Sequence, residues 1–191
     1  MGAISTFGGH PAVCRLLTET NMYAMDKLKL VVLSIGASAG LLSAAHHAHA
    51  APAVSLVRSI DVDAPAPLVW SKIGGFCAIA TWHPMIATCT EDGKTPSTRT
   101  LLGKDGKTRF VETQVERNDV ERLYSYNFVS SPIPANGYFA TIRVVPRSDG
   151  GSTVIWNGSY VPTPGKEREI ETALTGIYES GLTAIHAKFS K

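Results

Sequence analysis

This chain has almost no excess of either charge. Lys and Arg number 18 against 16 Asp and Glu, a net charge of +2 with His neutral. Nucleic acids and anionic membrane surfaces are met by clustered surplus cations, so the balance speaks against both as partners. Cysteine is scarce, with three in 191 residues, and no C-x-x-C pair occurs to suggest a thioredoxin-like redox role. A phosphate-cradling glycine loop, an H-E-x-x-H pair and a G-x-S-x-G nucleophile elbow are also missing from residues 51–191. Direct signs of nucleophilic or metal catalysis are therefore lacking, and no cofactor or metal is expected. The apolar run at residues 28–42 falls short of the about 20 residues that a membrane span needs.

That short run has a different meaning from its surroundings. Lys27 and Lys29 form a basic head, the run follows, and Ala48-His49-Ala50 places small residues where a signal peptidase reads. This order is that of a secretory signal peptide over residues 25–50, with cleavage expected after Ala50. The remaining domain, residues 51–191, is then expected to be periplasmic or secreted, with no membrane span left after cleavage. Residues 1–24 fit badly as a signal head. They read as a start placed too early, with Met25 or Met22 as the true start, or as a disordered prefix. The cluster His46, His47 and His49 suggests a metal tract, but it would leave with the signal.

An exported chain meets an oxidising compartment. Cys77 and Cys89 could form a bridge around Thr81-Trp82-His83-Pro84, or could be two buried thiols. Spacing does not decide between them.

Residues 54–62 are rich in β-branched side chains and predict a strand. Pro67 suits a first helical turn, and residues 68–73 predict a short helix that Gly74-Gly75 ends. Residues 76–81 predict a second one, stopped before Pro84. Strands are then predicted at 86–91, 98–102, 109–117, 122–130, 138–146 and 153–161. Turn signals separate them: Asp92-Gly93, the hairpin turn Lys104-Asp105-Gly106-Lys107, Asn118-Asp119, a proline loop at 131–137 and Ser148-Asp149-Gly150-Gly151. Thr163-Pro164 offers an N-cap and first-turn proline for a final helix. Ile170, Ala173, Leu174, Ile177, Gly181, Leu182, Ala184 and Ile185 recur along it at helical spacing. That stripe must bury itself against the sheet. The fold class is α+β: a curved antiparallel sheet of about seven strands wrapped around a long C-terminal helix.

The order of elements and a set of local motifs resemble the helix-grip superfamily of START and birch-pollen-allergen proteins. Within it the chain is most similar to the bacterial polyketide cyclase/dehydrase-like branch and, distantly, to the plant abscisic-acid receptors. Val69-Trp70, Trp82-His83-Pro84 with Cys89, Val111-Glu112-Thr113, Tyr124-Ser125-Tyr126, Ser131 to Pro134 leading to Tyr138, and Trp156 carry the resemblance. It implies a cavity for a small hydrophobic or amphipathic molecule. Tyr126, Phe128, Tyr138 and Trp156 would point inward, faced by Ala173, Ile177 and Gly181 from the helix. Glu112 would be the polar group near the entrance. His83 would stand where the receptors meet a ligand carboxylate with lysine, and residues 131–137 where they carry a mobile entrance loop.

His83 can serve as acid or base near neutral pH, or as a structural anchor beside Pro84. Glu112 shares its strand face with Phe110. It can be a buried carboxylate of raised pKa, or a rim partner of Arg109 or Arg143. Three functions follow as expectations. The first is an exported binding protein for a small apolar molecule. The second is a cyclase or dehydratase with His83 and Glu112 as its acid–base pair. The third is an accessory protein of a periplasmic oxidation system, acting through its surface.

Overall fold

The computed structural model describes residues 52–190. The expected signal segment, the prefix before it and the His46–His49 cluster lie outside the described residues.

Seven antiparallel strands form one sheet in the order β1-β7-β6-β5-β4-β3-β2. β1 (Val54–Val62) is followed by α1 (Ala66–Ile73), a 3-10 turn (Phe76–Ala78) and α2 (Ile79–Trp82). The meander is β2 (Ile86–Glu91), β3 (Thr98–Gly103), β4 (Arg109–Asn118), β5 (Leu123–Ser130), β6 (Ala135–Pro146) and β7 (Ser152–Pro162), and α3 (Glu167–Phe189) closes the chain. Six strands are joined in sequence, and β1 returns to pair with β7, Val54 opposite Tyr160 and Val62 opposite Ser152. This is the helix-grip arrangement expected from the element order.

Alternation explains the strands. In β7 every second residue, from Ser152 through Val154, Trp156 and Gly158 to Tyr160, is buried. β3 does the same with Arg99, Leu101 and Gly103. α3 buries Ile170, Leu174, Tyr178, Gly181, Leu182 and Ile185 along one face, the i, i+4 and i, i+3 spacing of an amphipathic helix. The stripe read from sequence held Ala173 and Ile177 but omitted Tyr178. Ala173 and Ile177 are half-buried beside the stripe, whereas Tyr178 lies in its centre.

Two boundaries differ from expectation for local reasons. Thr163 does not cap α3: its Oγ1 donates to the Pro134 carbonyl at 2.7 Å instead. Gly165, at φ +78°, then turns the chain, a left-handed conformation that glycine adopts without steric cost. The helix begins at Glu167. β6 starts at Ala135, not Tyr138, because Ala135 and Asn136 already pair with Pro162 and Val161 before a bulge. The proline loop is thereby shortened, and it is pinned by the Thr163 bond and by Ile133 N–H donating to Ser131 Oγ at 3.0 Å.

A disulfide joins Cys77 in the 3-10 turn to Cys89 in β2, with Cα atoms 5.4 Å apart. It fastens the short helical segment to the sheet's edge strand. At the other side of that segment, Trp70 Nε1 donates to Asp119 Oδ1 at 2.9 Å, and Arg117 Nη1 donates to the Gly74 carbonyl at 2.6 Å. The helices after β1 are thus tied to both β2 and the β4–β5 turn.

Candidate ligand cavity

The grip of sheet on helix is incomplete, and it leaves a cavity of about 220 Å³. Its wall is mostly apolar. β3 and β4 give Leu101 and Phe110, β5 gives Tyr126 and Phe128, β6 and β7 give Tyr138 and Trp156. Ile79 and Ile86 come from the short helix and β2, and Leu174 and Ile177 from α3. The mouth is formed by Lys104, Asp105 and Thr108 of the β3–β4 turn with half-exposed Met85 beside them, its carbonyl accepting the Lys104 N–H at 2.9 Å. The proline loop contributes none of the lining residues, so the expected entrance loop is not the entrance here.

The aromatic wall is rigid. Trp156 stacks on Tyr178 at 4.4 Å between centroids, with planes 10° apart, and Phe128 stacks on Tyr138 at 3.8 Å. Trp156 Nε1 donates to Tyr126 Oη at 3.1 Å, and the Tyr138 and Tyr178 hydroxyls share a 2.6 Å hydrogen bond. Burial raises the pKa of all three tyrosines, so they remain protonated. Tyr178 itself fits because position 158 is glycine: any Cβ there would collide with its hydroxyl.

His83 lies at the wall with both ring nitrogens engaged. Nδ1 accepts the Met85 N–H at 3.2 Å, and Nε2 lies 3.0 Å from the Ile177 carbonyl. That pattern requires the neutral tautomer with hydrogen on Nε2. Burial lowers the His83 pKa, with Arg99 and Lys104 adding to the effect against the Ile177 bond. His83 therefore anchors the segment after α2 to α3.

Glu112 corrects the sequence reading in two ways. It pairs with neither Arg109 nor Arg143, and it does not stand at the entrance. Its Oε2 accepts from Arg99 Nε at 2.6 Å in the interior, where Glu112 is 4% exposed and Arg99 fully buried. From Thr108 at the end of the turn, Phe110 and Glu112 follow along β4 away from the mouth, roughly 13 Å at 3.3 Å per residue. Arg99 also donates through Nη1 to the Phe76 carbonyl. Its guanidinium lies 4.1 Å from the Phe76 ring centroid and 5.0 Å from that of Tyr126, within cation–π range. Burial pushes the Glu112 carboxyl up against the opposing pull of Arg99. For Arg99, burial disfavours the charge, but Glu112 and the neighbouring tyrosines more than offset it.

Of the residues expected at the site, His83, Glu112, Tyr126, Phe128, Tyr138, Trp156 and Ile177 line this cavity, while Ala173 and Gly181 do not. Gly181 is a close-approach position behind the wall, against His83 and Trp156. Arg99, Tyr178, Leu174 and the Lys104–Thr108 turn were missed. Among the described residues, no three His, Cys, Asp or Glu side chains gather closely enough to hold a metal ion.

The family described as "Polyketide cyclase / dehydrase and lipid transport" matches over residues 53–190. Among solved structures, XoxI from Bacillus cereus is 29% identical with a TM-score of 0.67, covering 71% of this chain and 95% of its own. A Thermobifida fusca protein is 33% identical with a TM-score of 0.62, covering 69% and 90%. The Zhui aromatase/cyclase from Streptomyces sp. R1128 is 14% identical with a TM-score of 0.62, covering 72% and 93%, a likeness of fold. No protein of curated function matches the chain. With the matched region spanning every strand and helix of the grip, the chain belongs to the polyketide cyclase / dehydrase and lipid transport family.

Proposed function

We propose that this protein holds a compact hydrophobic or amphipathic molecule between its sheet and its C-terminal helix. The observation that carries this reading is an apolar cavity whose aromatic wall is fixed by its own hydrogen bonds. A preformed apolar site with few polar groups is the usual form of a small-molecule pocket. Its volume of about 220 Å³ lies just below the roughly 300–1,000 Å³ of drug-sized sites. The occupant is then a molecule of one or two rings or a short chain.

Turnover by a His83–Glu112 acid–base pair finds less support. His83 has no free nitrogen, and Glu112 is already in an ion pair with Arg99. As a base His83 would need a lone pair aimed at the substrate, and both its nitrogens are committed; Glu112 alone supplies no acid–base pair.

We also propose export, with residues 25–50 as the signal. The Cys77–Cys89 disulfide supports it, because such bonds persist in oxidising compartments.

Native mass spectrometry of the protein purified from its host tests the binding reading. A small molecule released on denaturation is the expected result. A protein that is empty as purified and that also fails to bind any apolar compound of this size would contradict it. The same intact mass reports cleavage after Ala50.

A further inference from the structure

Resting on the cavity's being a ligand site, we propose that its ligand carries a hydroxyl or N–H at its buried end and donates it to Glu112 Oε1. Away from the mouth, where Lys104 stands, the polar groups of the wall divide into those already engaged and this one. His83 is engaged at both nitrogens. The Tyr138 hydroxyl is bonded to Tyr178, and Tyr126 Oη already accepts from Trp156. At the mouth, Asp105 collects the Lys107 and Thr108 N–H groups and the Thr108 hydroxyl.

Glu112 differs from these. Arg99 Nε occupies Oε2, and no protein group donates to Oε1. The side chain lines the cavity, whereas Arg99 stands behind it and is not part of the wall. The floor of an otherwise apolar chamber thus presents an acceptor with an open position. A buried acceptor left without a donor carries an unrecovered desolvation cost, and a ligand O–H or N–H placed there removes it.

The same geometry excludes an inward carboxylate, since two like charges at hydrogen-bonding distance repel. The cation that would favour one, Arg99, gives Nε to Glu112 and Nη1 to the Phe76 carbonyl, and it stands outside the wall, its Nη2 without a protein partner. The ligand class is therefore a phenol, alcohol or N-heterocycle with its apolar body toward the mouth, not a fatty or aromatic acid bound acid-end first.

Calorimetric titration with naphthalene, 2-naphthol and 2-naphthoate tests this on the wild-type protein. A hydrogen bond to a charged acceptor predicts 2-naphthol at least about tenfold tighter than naphthalene, with 2-naphthoate weakest. The double variant Arg99→Met with Glu112→Met removes both buried charges together. It should bind naphthalene and lose the preference for 2-naphthol. Naphthol no tighter than naphthalene in the wild type, or a preference that survives in the double variant, overturns the assignment while leaving the cavity a binding site. Failure of all three probes to bind overturns the cavity reading itself, and this inference with it.

Discussion

Gly181 lies directly against the His83 ring. A Cβ at that position would stand 2.7 Å from His83 Cδ2 and 2.9 Å from Trp156 Cζ3. One glycine in α3 therefore sets how closely the helix approaches the wall of the cavity. Neither neighbour can give way easily: His83 is bonded at both nitrogens, and Trp156 is stacked on Tyr178. Gly181→Ala should destabilise the fold by about 1–3 kcal/mol, the usual cost of overpacking, despite alanine's better helix propensity. Urea denaturation of the variant beside the wild type measures this. An unchanged or raised stability would show that the contact relaxes.

His83 gives the fold a pH dependence of definite sign. Its folded pKa is lowered from 6.5, so the unfolded chain takes up the proton first as pH falls. The contribution is fully present above pH 6.5 and is lost as pH drops below it toward the folded value. The slope from this one group is at most about 1.4 kcal/mol per pH unit. Stability measured from pH 7.5 to 5.5 should fall more steeply in the wild type than in His83→Asn. Parallel curves would remove His83 as the cause.

The Arg99–Glu112 pair should be costly to break and cheap to replace. Glu112→Gln leaves a fully buried guanidinium without its counter-charge, and about 3–5 kcal/mol of stability should be lost. Replacing both residues by methionine should recover most of that loss, because the desolvation of both ions disappears together. A double-mutant cycle in denaturant separates the two effects. Additive single and double variants would mean that the two residues do not interact.

The Cys77–Cys89 bond closes a short loop, with partners 12 residues apart. Replacing both by serine should cost roughly 2–4 kcal/mol, mainly by freeing the unfolded chain. Thermal unfolding of the variant, with and without reductant, checks this. A variant as stable as the oxidised wild type would contradict it.

The fold was legible because strand alternation and turn chemistry agreed at each step. The turn at Lys104–Lys107 even fixed a register: with Leu101 opposite Phe110, Arg99 must stand opposite Glu112. That signal was present in the sequence. It went unread because an arginine in a strand looks like a solvated charge, although it shares a face with Leu101. Tyr178 was missed for a similar reason. It lies four residues from both Leu174 and Leu182 on the buried face, but its hydroxyl made it look peripheral. What sequence could not supply was depth. Glu112 looked the same at rim or floor until Arg99 was placed behind it. Gly181 was read as part of the wall because a small residue in a stripe does not say which neighbour fills its space.

The central claim is that a small apolar molecule occupies the space beside Trp156 and Ile177. Titrating the protein with naphthalene while following tryptophan fluorescence, alongside an Ile177→Trp variant that fills the cavity, tests it most directly. Saturable one-to-one binding in the wild type, abolished in the filled and still folded variant, is the predicted result. No binding to the wild type, or equal binding to both proteins, would contradict it.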